Sequence, residues 1–331
     1  MSDIQYDIIA LGNAIVDVIA PVEDAFLEEW DIVRNSMSLI DEPRAEALTA
    51  AAEGQELSGG SAANTVAGIA SFGARTAYIG KVADDRLGEV FKRDMAASSI
   101  PFETAPLTGG PATARSIIFV TPGGERSMNT YLGASVLFSA SDVDVDLVQA
   151  AGILYLEGYL FDREAAKTAF VHASEIANAA GRKVALTLSD QFCVDRHRES
   201  FRHLIRGHVD ILFANEAELL SLYETTDLDA AVNALRQDSA LAAITRGPEG
   251  SIVVSDGEPI YVDAEPIDTV VDTTGAGDQY AAGFLFGFAR GLPLDTCARL
   301  GHIAAAEVIA HYGPRPETSY AALAEAAGIQ V

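Results

Sequence analysis

The sequence predicts an α/β fold: a doubly wound, mostly parallel sheet with a small β lid. The main observation is a regular alternation after Ile153, where short apolar runs are separated by longer helical stretches. That pattern is typical of a parallel sheet covered by helices on both faces. A second observation is a pair of strand-like runs, at residues 113–121 and 126–132, around Pro122-Gly-Gly124. This hairpin pattern interrupts the alternation and favours a lid or a small appended sheet.

The composition is that of a globular protein with an ample core, since 49% of the 331 residues are hydrophobic and 21% are charged. No repeat, low-complexity tract or linker divides the chain. We therefore expect a single domain over residues 1–331, with lid segments inserted at about residues 14–40 and 107–132. The net charge of −26 makes nucleic acid and anionic membranes poor partners.

The two cysteines, Cys193 and Cys297, stand far apart and lack metal-ligand spacing, which favours a reducing compartment. The N-terminus carries no basic-then-apolar signal, and no apolar run reaches membrane-spanning length. These features together predict a cytoplasmic protein.

The first strand is predicted at Tyr6–Leu11, a short apolar run that ends at Gly12-Asn13 and delivers polar groups at its carboxyl end. The next apolar run, residues 14–20, contains Asp17. A buried carboxylate is costly unless something hydrogen-bonds to it. Asp17 is therefore either exposed on an alternating strand or a group that binds substrate hydroxyls.

Ser58-Gly-Gly-Ser-Ala-Ala-Asn64 opens a helical run that extends to Phe72, with Ser61 as the expected N-cap. Asn64 is a poor helix former. It is therefore either a solvent-facing residue or a substrate ligand. A strand at residues 75–82 and an amphipathic helix at residues 84–97 are predicted next.

The regular part of the chain predicts four strands and four helices. We expect the strands at residues 153–156, 184–188, 210–213 and 242–245, and the helices at residues 163–180, 195–205, 216–223 and 228–237. Ligands of doubly wound sheets gather beyond the carboxyl ends of the strands. Asn13, Asn215, Thr245 and the loop at Gly275 should therefore converge on one edge of the sheet.

The stretch Asp272-Thr-Thr-Gly-Ala-Gly-Asp278 lies between a β-rich segment and an apolar run that predicts a buried helix. The β-rich segment comprises Ser251–Val254, Ile260–Val262 and residues 269–271. Gly275 and Gly277 fall where the helix begins, and free N–H groups at such a point bind anions. Asp278 adds a carboxylate that can accept a proton. This combination suits phosphoryl transfer to a hydroxyl.

A simpler interpretation of the same stretch is a glycine turn ahead of a packed helix, with Asp278 as a first-turn charge favoured by the helix dipole. In either case the dipole is expected to lower the pKa of Asp278. After Gly291 the sequence predicts a helix to roughly His311, then a Gly-Pro-Arg-Pro break and a terminal Ala-rich helix.

Residues 272–278 resemble the C-terminal signature of the ribokinase-like (PfkB) family of sugar and nucleoside kinases, and the likeness covers nearly the full chain. Gly59-Gly-Ser-Ala-Ala-Asn-Thr65 resembles the N-terminal glycine signature of that family. Asn215-Glu-Ala-Glu218 is similar to its N-x-x-E motif, and Thr245-Arg-Gly-Pro-Glu-Gly250 to the loop that supports the nucleotide. The resemblance implies an ATP-dependent kinase that uses Mg²⁺, and it leaves a monovalent cation as an open option.

The resemblance also implies roles for individual residues. Asp278 would be the base that acts on the acceptor hydroxyl, and Arg126 would lie near the transferring phosphate. The main chain around that phosphate would be supplied by Gly275, Ala276 and Gly277. The residues implied to bind the nucleotide are Asn215, Glu218, Thr245, Gly247, Gly250 and His302. Of these, Glu218 would hold the metal through a water molecule.

Within the family, several stretches are most similar to the branch that phosphorylates the 5′-hydroxyl of adenosine to give AMP. They are Gly12-Asn13 with Asp17, Gly124-Glu-Arg-Ser127, Val209-Asp-Ile-Leu-Phe-Ala-Asn-Glu216 and Cys297-Ala-Arg-Leu-Gly-His-Ile-Ala-Ala305. By that resemblance the ribose would be held by Asn13, Asp17, Gly60, Ser61 and Asn64. The purine would be contacted by Met37, Leu39, Met128, Thr130 and either Tyr159 or Leu160.

Two departures from the family pattern touch the expected base pocket. Asn129-Thr-Tyr131 does not reproduce the usual aliphatic-Ala-Asn run, and Leu160 replaces an aromatic residue. The sequence therefore leaves two alternatives open: a sugar kinase for ribose, fructose or a related sugar, and a non-catalytic nucleoside-binding protein. A dinucleotide oxidoreductase is disfavoured because no G-x-G-x-x-G follows the first strand. The choice between monomer and dimer is also left open.

Overall fold

The structure is a computed structural model that describes residues 3–330. In chain order the strands β1 to β13 are Tyr6–Leu11, Ile15–Pro21, Met37–Leu39, Gln55–Gly59, Thr76–Ile79, Ala114–Val120, Arg126–Tyr131, Ala151–Glu157, Lys183–Thr187, Ile211–Asn215, Leu241–Thr245, Ser251–Val254 and Ile260–Val262. The helices α1 to α12 are Asp24–Glu29, Glu42–Ala51, Ser61–Ser71, Arg86–Ala97, Val145–Gln149, Glu164–Ala179, Gln191–Gly207, Glu216–Leu222, Leu228–Asp238, Ala276–Ala289, Leu294–Val308 and Tyr320–Ala326. Short 3₁₀ helices occur at Gly133–Leu137, Ala140–Asp142, Gly158–Asp162 and Gly247–Glu249.

Eight strands form the large sheet, in the order β13-β12-β11-β10-β9-β8-β1-β5. The pairs from β11 to β5 are all parallel, and β12 and β13 are added antiparallel at one edge. The predicted doubly wound, mostly parallel sheet is therefore confirmed. Parallel strands expose both faces to helices, which explains why their sequences are continuously apolar rather than alternating.

The two faces of the large sheet carry separate cores. Alternate residues of β1 point to opposite sides, so Ile8 and Ala10 belong to one core while Ile9 and Leu11 belong to the other. The first core is completed by α3, α4, α10, α11 and α12, and the second by α5 to α9. Helix α10 is apolar on every side because it lies inside the first core.

Five strands form a second, smaller sheet, in the order β3-β7-β6-β2-β4. Its outer face packs on α1 and α2 through a small core of its own, which includes Val18, Leu48 and Phe119. The sheet uses β4 in addition to the two segments expected for the lid. Neither β4 nor α1 and α2 was predicted from the sequence.

Several local predictions need correction. Residues 269–271 do not form a strand, and the N–H of Val271 donates to the carbonyl oxygen of Ile309 (2.8 Å) just after α11. Helix α11 ends at Val308 rather than near His311. Ser61 is the first residue of α3 rather than its N-cap, which is Gly60 at φ +96°. A side chain other than glycine would be strained in that conformation.

Within residues 3–330, no helix combines the length and the apolar character needed to cross a bilayer.

Candidate active site

One cavity of about 690 Å³ lies between the carboxyl edge of the large sheet and the inner face of the small sheet. Its floor is lined by polar residues at the ends of consecutive strands, because the carboxyl ends of parallel strands meet at the same edge. These residues are Asn13, Glu157, Thr187, Asn215 and Thr245. The loop at Gly275 lines the same cavity, so the structure brings together the groups that were expected to converge.

Helix α10 begins at this edge with a turn that requires glycine. Gly275 is its N-cap and has the left-handed backbone conformation, with φ at +80°. The N–H of Ala276 donates to the carbonyl oxygen of Thr273 (3.2 Å) and closes the turn. The amides of Gly277 and Asp278 belong to the first helical turn, where N–H groups lack intrahelical acceptors. The N–H groups left available for an anion are therefore those around Gly277, since the N–H of Ala276 is already used within the turn.

Asp278 is anchored through both carboxylate oxygens. Ser61 donates to Oδ1 at 2.6 Å, and Asn64 donates to Oδ2 at 3.0 Å. Burial raises the pKa of Asp278 to about 6, against the opposing effects of these hydrogen bonds and of Arg315. The sequence-based expectation of a lowered pKa is therefore wrong, because desolvation outweighs the helix dipole. Asp278 is a better proton acceptor near neutral pH than a first-turn carboxylate on an exposed helix.

Asp17 reaches the cavity because β2 alternates. Val16, Val18 and Ala20 are buried, while Ile15 and Asp17 face the cavity. A Cβ at Gly59 on the neighbouring strand β4 would overlap the Asp17 carboxylate, so the missing side chain there makes room for it. Burial raises the pKa of Asp17 to about 6, and Arg315 and Arg126 oppose that rise. Of the two environments considered from the sequence, the structure places the Asp17 carboxylate in the cavity rather than on an exposed strand face.

Glu157 is a buried site residue that was not predicted. Its Oε1 accepts a hydrogen bond from Nδ2 of Asn13 (2.8 Å), and its Oε2 accepts one from the N–H of Ala62 (2.9 Å). Burial raises the pKa of Glu157 to about 7. The signal in the sequence was a carboxylate at the end of the apolar run that forms β8. Glu157 fixes Asn13 and the start of α3 relative to each other.

The inner face of the small sheet is mainly apolar. Met37, Leu39, Ile118 and Met128 line the cavity from above. The exception is a pair of hydroxyls, because Ser116 Oγ and Thr130 Oγ1 lie 2.9 Å apart on neighbouring strands. The cavity therefore has a polar floor and a largely apolar roof.

Tyr159 and Leu160 have different environments. Tyr159 lines the cavity, and its hydroxyl and N–H both donate to Ser189 (3.2 and 3.1 Å). Leu160 is 3% exposed and packs in the core on the far face of the sheet. Of the two residues considered for the purine pocket, Tyr159 therefore lines the cavity and Leu160 does not.

Asn215 and Glu218 form a capping box at the start of α8. Asn215 Oδ1 accepts from the N–H of Glu218 (2.9 Å), and Glu218 Oε2 accepts from the N–H of Asn215 (3.0 Å). Glu218 is 4% exposed, and burial raises its pKa to about 7. Both residues line the cavity.

Three of the four remaining residues implied to bind the nucleotide are outside the described lining of this cavity. Among the described residues that line it, Thr245 is included, but Gly247, Gly250 and His302 are not. His302 is buried, with Nε2 2.9 Å from Ser251 Oγ, and burial lowers its pKa to about 4. The imidazole is therefore neutral at physiological pH.

Arg126 is the first residue of β7 and forms a buried ion pair with Asp272. Asp272 also accepts hydrogen bonds from the N–H groups of Thr274 (3.0 Å) and Gly313 (3.1 Å). The pair thus joins the small sheet to the loop that begins α10. Arg126 lies beside that loop and outside the described lining of the cavity.

Three further residues at the site were missed. Phe192 and Arg196 on α7 line the cavity, and Arg315 lies behind Asn64 with Nε 3.4 Å from Asn64 Oδ1. Phe192 could have been predicted as a site residue, because it is an apolar residue that follows the predicted end of β9. Arg315 could not have been predicted as a site residue, since the Gly-Pro-Arg-Pro run predicted only the end of a helix.

Comparison with known proteins places these observations in a family. The family described as pfkB family carbohydrate kinase matches residues 8–319. The crystal structure of adenosine kinase from Sinorhizobium meliloti is 53% identical, with 98% of this chain and 99% of that chain covered and a TM-score of 0.90. A probable sugar kinase protein from Rhizobium etli CFN 42 is 48% identical, with the same coverage and a TM-score of 0.91. Adenosine kinase from Saccharomyces cerevisiae is 27% identical over 330 residues, 93% of this chain and 96% of that protein.

The fold and these matches define a phosphotransferase with an alcohol group as acceptor. The chain belongs to the PfkB family of carbohydrate kinases.

Proposed function

We propose that the protein transfers the γ-phosphate of ATP to the 5′-hydroxyl of adenosine, giving AMP and ADP. The observation that carries this proposal is the polarity of the cavity, which combines hydroxyl-binding groups around Asp278 with a mainly apolar roof. A purine nucleoside has the same division, with a polar sugar at one end and a broad apolar ring at the other. The 53% identity to the Sinorhizobium meliloti adenosine kinase supports the same acceptor.

The ribose would lie on the polar floor. Asn13, Asp17, Gly60, Ser61 and Asn64 all line this part of the cavity. A carboxylate such as Asp17 accepts hydrogen bonds from two neighbouring hydroxyls, which is what the 2′ and 3′ positions of a ribose offer. Glu157 would act indirectly, by holding Asn13 in place.

The purine would lie under the small sheet. Met37, Leu39, Met128 and Thr130 face it from above, and Tyr159 lies at its side. Burial of a methionine-sized side chain against a ring contributes on the order of 1–2 kcal/mol. Met37 and Leu39 are about half exposed, at 49% and 57%, so a bound ring has apolar surface to cover.

Asp278 would accept the proton of the attacking hydroxyl. As the new P–O bond forms and the bond to ADP breaks, the hydroxyl becomes acidic and its proton passes to a carboxylate oxygen. Ser61 and Asn64 hold that carboxylate in place. The amide of Gly277 and the start of α10 would stabilise the negative charge on the transferring phosphate, with Arg126 close by.

Mg²⁺ fits this site through Glu218. Among the described side chains, which do not include that of Asp162, no cluster of three or more His, Cys, Asp or Glu residues is arranged to hold a metal ion. Mg²⁺ usually retains several waters and binds through one or two carboxylates and the substrate phosphates. Glu218, steadied by Asn215, would hold the ion through water. Bound Mg²⁺ neutralises charge on the phosphates. A monovalent cation stays an expectation of the family resemblance alone.

We also propose a cytoplasmic role in purine salvage. The cytoplasm is a reducing compartment, and the two cysteines are compatible with one because they are buried in separate cores on the two faces of the large sheet.

A PfkB-type sugar kinase is the second candidate. The hydroxyl pair of Ser116 and Thr130 gives the roof a polar group that a free sugar could use, and the Rhizobium etli relative carries a sugar-kinase description. A non-catalytic nucleoside-binding protein is disfavoured, because binding alone requires neither Asp278 nor the α10 turn.

The deciding experiment is ATP-dependent phosphorylation measured with adenosine, inosine, ribose and fructose in parallel. We expect adenosine to give the highest kcat/KM, and Asp278→Asn to lower kcat by about 10²–10⁴ with every acceptor. A preference for ribose or fructose would replace the nucleoside assignment with the sugar-kinase one.

A further inference from the structure

The segment between α11 and α12 crosses the edge of the active site and carries Arg315. Its backbone is tied to the loop that begins α10, because the N–H of Gly313 donates to Asp272 Oδ2 (3.1 Å). Gln279 Nε2 donates to the carbonyl oxygen of Pro314 at 2.8 Å. Arg315 therefore follows directly after two backbone anchors at the catalytic end of the molecule.

The other side of the same segment is also fixed. Glu307, near the end of α11, accepts hydrogen bonds at Oε1 from the N–H groups of Glu317 (3.0 Å) and Thr318 (2.6 Å). Arg315 is thus held from both directions, which gives its side chain a defined position.

The Arg315 side chain contacts Asn64, which in turn contacts Asp278. Nε of Arg315 lies 3.4 Å from Asn64 Oδ1, and Asn64 Nδ2 lies 3.0 Å from Asp278 Oδ2. A guanidinium has only donors and an ionised carboxylate has only acceptors. The carboxamide of Asn64 satisfies both neighbours in one orientation alone, with its oxygen toward Arg315 and its NH₂ group toward Asp278.

Arg315 also carries a positive charge beside the site's carboxylates. Burial lowers the pKa of Arg315, and its charge is supported by Asp17, Asp94 and Asp278. In return, Arg315 opposes the burial that raises the pKa values of Asp17 and Asp278. The other titratable groups that interact with Asp278 from the packed elements are Asp17, Tyr155, Glu157 and Tyr159. All of them are acidic groups, whereas Arg315 is a cation whose charge opposes the rise in the pKa of Asp278.

We propose that Arg315 is a positioning residue for phosphoryl transfer: it orients the carboxamide of Asn64 and supplies the positive charge that faces Asp278. This inference rests on the proposed role of Asp278 as the proton acceptor. It does not depend on which acceptor hydroxyl is used.

Three substitutions separate the two effects of Arg315. Arg315→Gln keeps an N–H donor for Asn64 and removes the charge, whereas Arg315→Lys keeps the charge and removes the planar fork. Arg315→Met fills the same space without a polar head. Arg206→Gln is the matched control, because Arg206 pairs with Asp238 on the surface and lies outside the described lining of the cavity.

The main readout is the pH profile of kcat/KM, with thermal unfolding as the check on folding. Loss of a nearby positive charge raises a carboxylate pKa by about one unit or more. We therefore expect the acidic limb of Arg315→Gln and Arg315→Met to move to higher pH by about that amount, with KM for ATP within about twofold of wild type. Arg315→Lys should keep the wild-type limb but turn over about tenfold more slowly. Arg206→Gln should match wild type.

An unmoved acidic limb in a folded Arg315→Gln or Arg315→Met protein would overturn the charge effect. Wild-type turnover in Arg315→Lys would overturn the orienting effect, and this variant keeps the test open if the other two fail to fold. A rise in KM for ATP alone would show that Arg315 contacts the nucleotide instead. A ¹³C NMR titration of the Asp278 carboxyl without substrates measures the same pKa, so the inference is tested even if wild type does not phosphorylate adenosine.

Discussion

Ser61 donates a 2.6 Å hydrogen bond to Oδ1 of Asp278, a residue 217 positions later in the chain. Asn64, one turn further along α3, holds the other oxygen at 3.0 Å. The start of α3 and the start of α10 therefore meet at one carboxylate. Because both oxygens are anchored, the position of Asp278 is set by the two helices rather than by the substrate.

Asp278→Asn tests whether this carboxylate is the proton acceptor. The amide keeps the shape of the side chain, but it cannot take the proton, and its NH₂ group would face one of the two existing donors. We expect kcat to fall by about 10²–10⁴ with little change in KM for ATP. Asp229→Asn on the exposed surface of α9 is the matched control and should behave as wild type. Near-normal turnover in pure Asp278→Asn would show that Asp278 is only a first-turn charge.

The pH dependence follows from the raised pKa of Asp278. The carboxylate must be ionised to accept a proton, and its pKa is about 6 in the folded protein. Activity should therefore be full well above pH 6 and fall as the pH drops through about 6. The measurement is kcat/KM for the acceptor between about pH 5 and pH 9 at saturating ATP. An acidic limb near the ordinary aspartate range, at about pH 4, would contradict the desolvated environment.

Gly277→Val tests the main-chain phosphate site. Apart from the neighbouring residues and the backbone of α10 itself, no protein atom lies within 4 Å of a Cβ built on Gly277, so the side chain has room and the fold should keep its stability. The added side chain would stand where a phosphate approaches the start of α10, so turnover should fall by about 10² or more. Kinetics and thermal unfolding of the same preparation provide the test.

Gly275→Val is the contrasting variant. Its side chain would meet Pro314 at 2.7 Å in a left-handed backbone conformation, so this protein should lose stability as well as activity. If Gly277→Val retains activity with ordinary stability, the phosphate does not lie against this turn.

Met128→Asp separates a nucleoside from a sugar. A purine under the small sheet would lie against Met128, and an unpaired charge there is costly. We expect KM for adenosine to rise about tenfold or more, with KM for ATP almost unchanged. Val33→Asp is the matched control, because Val33 is 67% exposed and outside the described lining. Unchanged adenosine kinetics in Met128→Asp would remove the purine from this position.

The parts of the fold that follow from periodicity were predictable. Strands such as Leu241–Thr245 are short apolar runs bounded by polar residues, and their burial on both faces leaves a clear pattern. The loop at Gly275 was also predictable, since a left-handed turn before an apolar helix requires glycine. Elements with little core of their own were not: α2 has only Ala45 and Leu48 buried, and β4 pairs at the edge of the small sheet.

The site was predictable where a side chain acts directly, and not where it acts through another. Asp278 and Asn64 could be singled out because a carboxylate at a helix start and an amide inside a helix both demand a reason. The environment of Asp278 could not, because desolvation depends on packing from distant segments. The choice between Tyr159 and Leu160 stayed open in the sequence for a related reason. Tyr159 lines the cavity and its neighbour Leu160 packs in the core. The sequence alone does not say which of two adjacent residues after β8 faces the cavity.

The buried ion pair between Arg126 and Asp272 affects how the protein responds to salt. It joins the small sheet to the loop that starts α10, so any movement that lifts the small sheet away from this loop must separate two opposite charges. Dissolved ions stabilise separated surface charges and have little effect on a buried pair. Added salt therefore lowers the cost of lifting the small sheet away from that loop. Counterions would thus act on this protein in two ways. They would weaken the overall repulsion that follows from the net charge of −26, and they would make the Arg126–Asp272 pair easier to separate.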